Sequence, residues 1–395
     1  MSDSTVYLDH AASTPMLPGA IEAMTPYFSK VYANPSGSHR FARQARRAID
    51  EARDDVAEVL GVRPNEVVFT SCGTESDNTA ILGAVSRIGG VAVCAAAEHH
   101  AVLHVVEAVG GDIVPVDGFA RIDVDALADL LDEHSAAGRD VAVVSVMAVN
   151  NEVGTVNDVA AVAAVVRRHA PGALVHTDAV QAPSWLDLRA LTPHVDLLAL
   201  SAHKFGGPKG VGILVERGGP RIDPLIIGGG QERERRSGTH NVAGIVAAAT
   251  ALRSTDSERA TEIPRLIQLR DRLVGELVEQ LDDVTETIPH AGGEFGVEKV
   301  AGSAHVCIGG IESEALLFLL DEADVCASAA SACASGAMEP SHVLAAMGVD
   351  REVALGALRL SLGHASTEAD VDRGIEAITS AVTRLRSHRA TRTTS

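Results

Sequence analysis

The chain reads as an α/β protein: a large domain with a mostly parallel sheet sandwiched by helices, and a smaller α+β domain. Three observations predict this. Over the first 255 or so of its 395 residues, short β-branched apolar runs alternate with longer segments of helical periodicity. Continuous apolar runs of strand length mark strands buried on both faces, and helices between them cover a parallel sheet. After about residue 255 the alternation stops. With 46% hydrophobic residues, a chain of this length holds one large core and a second, smaller one.

In chain order, "ARQARRAIDEARDDVAEVL" carries helical periodicity and leads to a first strand, "EVVFTS". The runs "VAVCAA", "DIVPV", "VAVVSV", "ALVHT", "VDLLAL" and "VGILV" follow as strands, with "VNDVAAVAAVVRRHA" as one of the intervening helices. Beyond residue 255, a charged helix, "EIPRLIQLRDRLVGELVEQL", precedes the strands "SAHVCIGG" and "ALRLSLG" and the helices "SEALLFLLDEA" and "TEADVDRGIEAITSAVTRLRSHR". The expected division is 16–255 for the large domain, 1–15 with 256–390 for the small one, and 391–395 as a disordered tail.

Composition excludes several classes. With 33 basic against 53 acidic residues the net charge is −20, which repels a phosphate backbone, so no direct nucleic-acid partner is expected. The start "MSDSTVYLDHAAS" has neither a basic n-region nor an apolar h-region, and no apolar run is long enough for a bilayer; a cytoplasmic protein without a membrane partner is expected. Five cysteines, none in a CxxC pair, suggest neither a disulfide framework nor a zinc site.

In open parallel sheets ligands bind beyond the carboxyl ends of the strands. Three stretches stand there. "EVVFTSCGTESDN" passes from a strand through Gly73 and Thr74 into a helix, which suits a phosphate or is an ordinary N-cap formed by Thr74. "ALVHTDAVQ" puts Asp178 and Gln181 just past a strand, where a carboxylate can pair with a protonated ring nitrogen or simply cap a turn. "LSAHKFGGPKGVG" holds two of the four lysines in the chain, and Lys204, at a strand end, is either a loop lysine or a desolvated amine able to form a Schiff base. Together the three are the parts needed to hold pyridoxal 5'-phosphate.

From "VYLDHAASTP" to "LRLSLGHASTEADVD" the sequence resembles the fold-type I pyridoxal-phosphate enzymes of the class V aminotransferase group, and within it the cysteine desulfurases of the NifS/IscS kind. The motifs that carry this are "SCGTESDN", "EHHAV", "VNNEVGT", "HTDAVQ", "SAHKFGGPKG", "GGGQERERRSGT", "SACASGAMEPSHVLAAMG" and "LRLSLG". The resemblance implies that Lys204 anchors the cofactor, Asp178 binds its pyridine nitrogen, and His99 stacks on the ring and takes part in proton transfer. Asn151 and Gln181 would bond the phenolic oxygen, with Gly73, Thr74, Ser201, Ala202 and His203 around the phosphate. Thr239 would reach the phosphate across a two-fold interface, which implies a homodimer. Arg359, with Asn151 beside it, would hold the substrate carboxylate.

Cys333 decides the reaction. It lies among alanines, serines and a glycine in "ASAASACASGAMEPS", without an apolar pattern to bury it, and sulfur transfer requires a thiolate able to approach a bound substrate. Cys94, Cys307 and Cys326 read as packing residues. The expected reaction converts L-cysteine to L-alanine and leaves a persulfide on Cys333. A sulfur-acceptor protein then takes the sulfur, such as an iron-sulfur cluster scaffold or a thiolation enzyme. No metal site is assigned beyond a passing contact of Cys333 with a nascent iron-sulfur cluster. The alternatives are a selenocysteine lyase or other class V enzyme, or a sulfur-transfer scaffold subunit. Two departures from the family pattern stand out: Cys72 where glycine is usual, and alanine at 329 and 330, which would stiffen the lead-in to Cys333.

Overall fold

The seven apolar runs pair into one sheet. The computed structural model describes residues 5–289, 298–329 and 340–393. After a two-residue strand β1 (Val6–Tyr7), the sheet strands are β2 (Val67–Thr70), β3 (Val91–Ala95), β4 (Asp112–Val114), β5 (Val141–Ser145), β6 (Leu174–Asp178), β7 (Leu197–Ser201) and β8 (Gly212–Glu216). Their order is β2-β8-β7-β6-β5-β3-β4. Every neighbouring pair is parallel except the two made by β8, which runs against both β2 and β7.

Alternating side chains along each strand enter different cores, as period two requires. Val67, Phe69, Ile213 and Val215 join one, Val68 and Leu214 the other. The first core is covered by α1 (Arg40–Leu60), by α4 (Val159–His169) and by the first part of α5 (Val242–Gln280). The second lies under α2 (Gly73–Ile88) and α3 (His100–Ala108), which bring Ala80, Ile81, Ala84, Val102 and Val106 onto it. Helix α1 shows why these segments are helical: Ala42, Ala45, Ile49, Ala52, Val56 and Leu60 repeat at three and four residues on its buried face. His39 Nδ1 accepts from Ala42 N at its start, and Gly61 ends it in the left-handed region at φ 66°.

Past the sheet, α5 runs for 39 residues without a break at position 255. Ala247 to Leu252 pack in the sheet core, while Leu266, Leu269, Leu273 and Leu277 pack in a separate cluster. That cluster covers β9 (Val284–Glu286), β10 (Ser303–Ile308) and β12 (Ala357–Ser361), an antiparallel sheet of order β12-β10-β9. The strand β11 (Val325–Cys326) pairs in parallel with β1, so Val6 and Leu8 are buried with the C-terminal part of the chain. Helices α6 (Ser313–Glu322) and α7 (Glu368–Thr393) complete it. Helix α7 is continuous through Thr393, overlapping the first three residues of the expected tail, and residues 390–393 contain neither glycine nor proline to stop it. Among the described residues no helix is long and apolar enough to cross a membrane.

One buried ion pair fixes the loop 228–239. Arg53 donates through both terminal nitrogens to Glu232, at 2.7 Å each, and Glu232 also accepts from Phe69 N and lies 2.8 Å from His240 Nε2. Glu232, Arg233 and Glu234 all have positive φ, from 49° to 67°, a strained run for residues with side chains. The bonds from His240 and Arg53 outweigh burial and pull the Glu232 carboxyl down to about 2. Its contribution to stability is therefore present above the ordinary carboxylate range and lost as pH falls toward about 2. Glu232→Ala leaves Arg53 buried and uncompensated, and urea unfolding at neutral pH is expected to show a loss of about 3 kcal/mol or more; a loss under about 1 kcal/mol would contradict this reading.

Candidate active site

Strands β2, β3, β5, β6 and β7 point the same way, so their carboxyl ends form one edge. That edge bounds a cavity of about 310 Å³ lined by Gly73, Thr74, His99, Asn151, Asp178, Gln181, Ser201, His203, Lys204 and Arg359. A narrower cavity of about 70 Å³ adjoins it at Ala11, Asn151, Gln181 and Lys204, and runs past Trp185 and Phe205.

Lys204 ends the single turn that follows β7. Its Nζ donates to the carbonyls of Ala11 at 2.5 Å and Ala12 at 3.2 Å, on the segment after β1. Burial and then Arg359 draw the amine down to about 8, against the pull of Asp178 and Asp9. Asp178 ends β6, and one of its oxygens accepts from Val180 N at 2.8 Å. Burial raises the carboxyl to about 6, opposed by that bond and by Lys204. Gln181 donates from Nε2 to Ala11 O at 2.8 Å, close to the lysine.

Helix α2 starts with Cys72 as its N-cap, not Thr74, and no side chain caps the turn. Its first amides are therefore available to an anion, with the positive end of the helix dipole behind them. Gly73 is required by close packing, since a Cβ there would lie 2.7 Å from Val180 Cγ2 and 3.3 Å from Ser201 Cβ. His203 Nδ1 lies 3.3 Å from Ser13 Oγ. His99 N-caps α3, its Nδ1 accepting from Ala101 N at 3.1 Å. Burial, then Lys204, pulls its pKa down to about 4, so the ring is neutral at pH 7 and its proton sits on Nε2.

Arg359, on β12, is buried and reaches the cavity from the separate cluster that covers the three-stranded sheet. Its terminal nitrogens donate to Asp9 Oδ1 at 2.8 Å and to Asn151 O at 3.0 Å. Its Nε has no partner among the described residues.

One residue expected around the phosphate, Ala202, does not line the cavity, and Thr239, expected to act across a two-fold interface, lies away from it. Ala202 is fully buried and its N–H is spent on Val211 O, because β7 and β8 remain paired up to that point. Thr239 is exposed and does not line the cavity of its own chain. Cys333 and Ala330 lie outside the described residues. Cys94 and Cys307 are buried, as packing residues should be, while Cys326 is half-buried on β11 and Cys72 lines the cavity. Sequence reasoning passed over Asp9, Asp77, Glu98 and His176, although ionisable residues inside or beside apolar runs were the available signal.

The residues present fit pyridoxal 5'-phosphate. They supply an enclosed amine, a buried carboxyl facing the cavity, an uncapped helix start with the Ser201 hydroxyl beside it, and a neutral imidazole with a fixed ring. Class V aminotransferases use this cofactor.

Competitive trace labelling of the cofactor-free chain with an amine-reactive reagent tests the lysine. Its reactivity, read by mass spectrometry on the Lys204 peptide, is expected to rise with pH around a midpoint near 8, as the protonated amine becomes the nucleophile. A midpoint at the ordinary lysine value would contradict the enclosure of the amine.

Comparison with known proteins agrees with the geometry. The chain is 43% identical to the "IscS-like cysteine desulfurase" of Mycobacterium tuberculosis, over 96% of this chain and 97% of that protein. A solved structure titled "NIFS-LIKE PROTEIN" superposes with a TM-score of 0.86 at 35% identity, covering 96% of this chain and 99% of that one. Another, titled "SspA in complex with cysteine", gives a TM-score of 0.74 at 30% identity, covering 91% and 99%. The profile of the family described as "Aminotransferase class-V" matches residues 6–373, and with these relatives it shows that the chain belongs to that family.

Proposed function

We propose that the chain is a cysteine desulfurase that uses pyridoxal 5'-phosphate, converts L-cysteine to L-alanine and carries the released sulfur as a persulfide on Cys333. The observation that supports this most is the convergence of an enclosed Lys204, a buried Asp178 and an uncapped helix start on one cavity that Arg359 also reaches. Relatives named cysteine desulfurase, nearly equal in length to the chain, support the substrate.

In this reading Lys204 anchors the cofactor, and its amine, neutral above about pH 8, accepts the Cα proton of the substrate. Asp178 holds the ring nitrogen, the first turn of α2 with Ser201 and His203 holds the phosphate, and Asn151 and Gln181 serve the phenolic oxygen. When bound, pyridoxal phosphate supplies an electron sink for the pair left on Cα. Arg359 orients the substrate carboxylate, leaving Asp9 for it or sharing its planar fork between the two. His99, with its proton on Nε2, handles a proton beside the ring.

The sulfur step balances without an oxidant. The substrate C–S bond breaks and an S–S bond forms on Cys333. The carbon that lost sulfur keeps the electron pair and takes up a proton.

The division into 16–255 and 1–15 with 256–390 is proposed on the two separate apolar clusters, with α5 shared between them. A homodimer is proposed on the exposed Leu225, Ile226 and Ile227 beside the loop that ends in exposed Thr239. The acceptor proposed for the sulfur is a protein, such as an iron-sulfur cluster scaffold or a thiolation enzyme.

With a reductant present, the wild type is expected to release alanine and sulfide from L-cysteine in equal amounts. Cys333→Ala should keep the visible spectrum of the bound cofactor and lose both products, and full retained turnover would overturn the role of Cys333. Arg359→Lys removes a bidentate charge-assisted contact of about 1.5–3 kcal/mol, so kcat/KM should fall roughly 10- to 100-fold.

A further inference from the structure

A line of buried polar groups stands behind Asp178, and the proposed reaction uses none of it. His176 lies two residues before Asp178 on β6 and therefore on the same face of the sheet, the one that α2 covers. Directly across the register on β5 is Ser145, whose Oγ is 2.8 Å from His176 Nδ1. From α2, Asp77 brings Oδ1 to 3.6 Å from His176 Nε2. This is a few tenths of an ångström beyond hydrogen-bond range, and neither atom has another partner among the described residues. Asp77, His176 and Ser145 are all sealed from water, yet Asp77 also borders the cavity beside Asp178.

A third carboxyl, Glu98 after β3, is fully buried too, with one oxygen accepting from Met147 N at 2.6 Å and the other without a partner among the described residues. Cys72 at the start of α2 is a further titratable neighbour of Asp77, and Lys204 and His99 line the same cavity. Three carboxyls this close in a dry site cannot all ionise, because an isolated buried carboxylate costs more than a proton on it. Asp178 has a backbone N–H and faces Lys204. Asp77 Oδ1 has no hydrogen-bond partner among the described residues and faces the His176 imidazole at 3.6 Å.

We propose that Asp77 is a positioning residue that acts as a neutral acid, donating its proton to His176 Nε2 while His176 donates through Nδ1 to Ser145, so that Asp178 is left as the single anion for the ring nitrogen of the cofactor. Burial, then Asp178 and Glu98, push the Asp77 carboxyl well above its ordinary range, and burial pulls His176 down to about 3, so the proton of the pair stays on the carboxyl. The last clause of the proposal rests on the role given to Asp178; the location of the proton is a property of the chain alone.

The direct test is nitrogen NMR of the histidine-labelled wild type, with and without pyridoxal 5'-phosphate, the His176 signals being identified by their loss in His176→Gln. The expected result is a neutral ring protonated on Nδ1 at pH 7 to 8. A ring protonated on Nε2, or an imidazolium, overturns the proposal without any variant of Asp77 having to fold. The link to the cofactor is read separately in the pH titration of the absorbance of the loaded chain. Asp77→Asn keeps a neutral donor, so the midpoint should stay within about 0.3 unit of wild type; a move of about one unit or more would mean that Asp77 carries charge. Neither readout depends on sulfide release, so failure of the desulfurase reading would be seen in the activity assay and not here.

Discussion

A half-buried amine in the turn after one strand and a buried carboxyl at the end of the adjacent strand are the constraint on which the rest of the structure depends. Lys204 in the turn after β7 and Asp178 at the end of β6 are each pushed toward their neutral form by burial, to about 8 and about 6, and each is partly restored by the other. Neither shift would survive in a shallow groove. The sheet must therefore be buried on both faces, and the cavity must be closed by chain from elsewhere. Alternation of side chains into two cores meets the first requirement. The carbonyls of Ala11 and Ala12, which take the lysine amine, help to meet the second.

That closing segment explains the second apolar cluster. β1 is only two residues long and is held by β11, with Val6 and Leu8 buried among residues of the C-terminal part. The same cluster delivers Arg359 on β12, whose fork ties Asp9 and Asn151 together across the cavity. Arg359 and the pair of Asp178 and Lys204 thus come from two separate cores, joined by α5, with Pro264 lying between its two buried stretches.

Much of this was legible in the sequence, for physical reasons that differ from part to part. The seven strands are readable because each is a continuous apolar run, and the binding of ligands beyond strand ends points to Asp178 and Lys204. The reach of α7 to Thr393 was not, since residues 390–393 carry no apolar periodicity and only the absence of a stop signal tells. Nor was the burial of Ala202, which follows from how far β7 stays paired with β8. Asp77, Glu98 and His176 were invisible as a group because they are distant in sequence and meet only when α2 lies down on β5 and β6. Cys333 was legible by its company of small residues, and it lies outside the described residues.

The central claim is that sulfur leaves L-cysteine onto one particular thiol by way of the Lys204 site. The most direct measurement is mass spectrometry of the chain after a single turnover with sulfur-labelled L-cysteine and no reductant. The account predicts one labelled sulfur on the peptide that contains Cys333, and none when Lys204 is replaced by alanine. Labelled sulfur on Cys72 or Cys326 instead, or alanine formed with no sulfur retained on the chain, would contradict it.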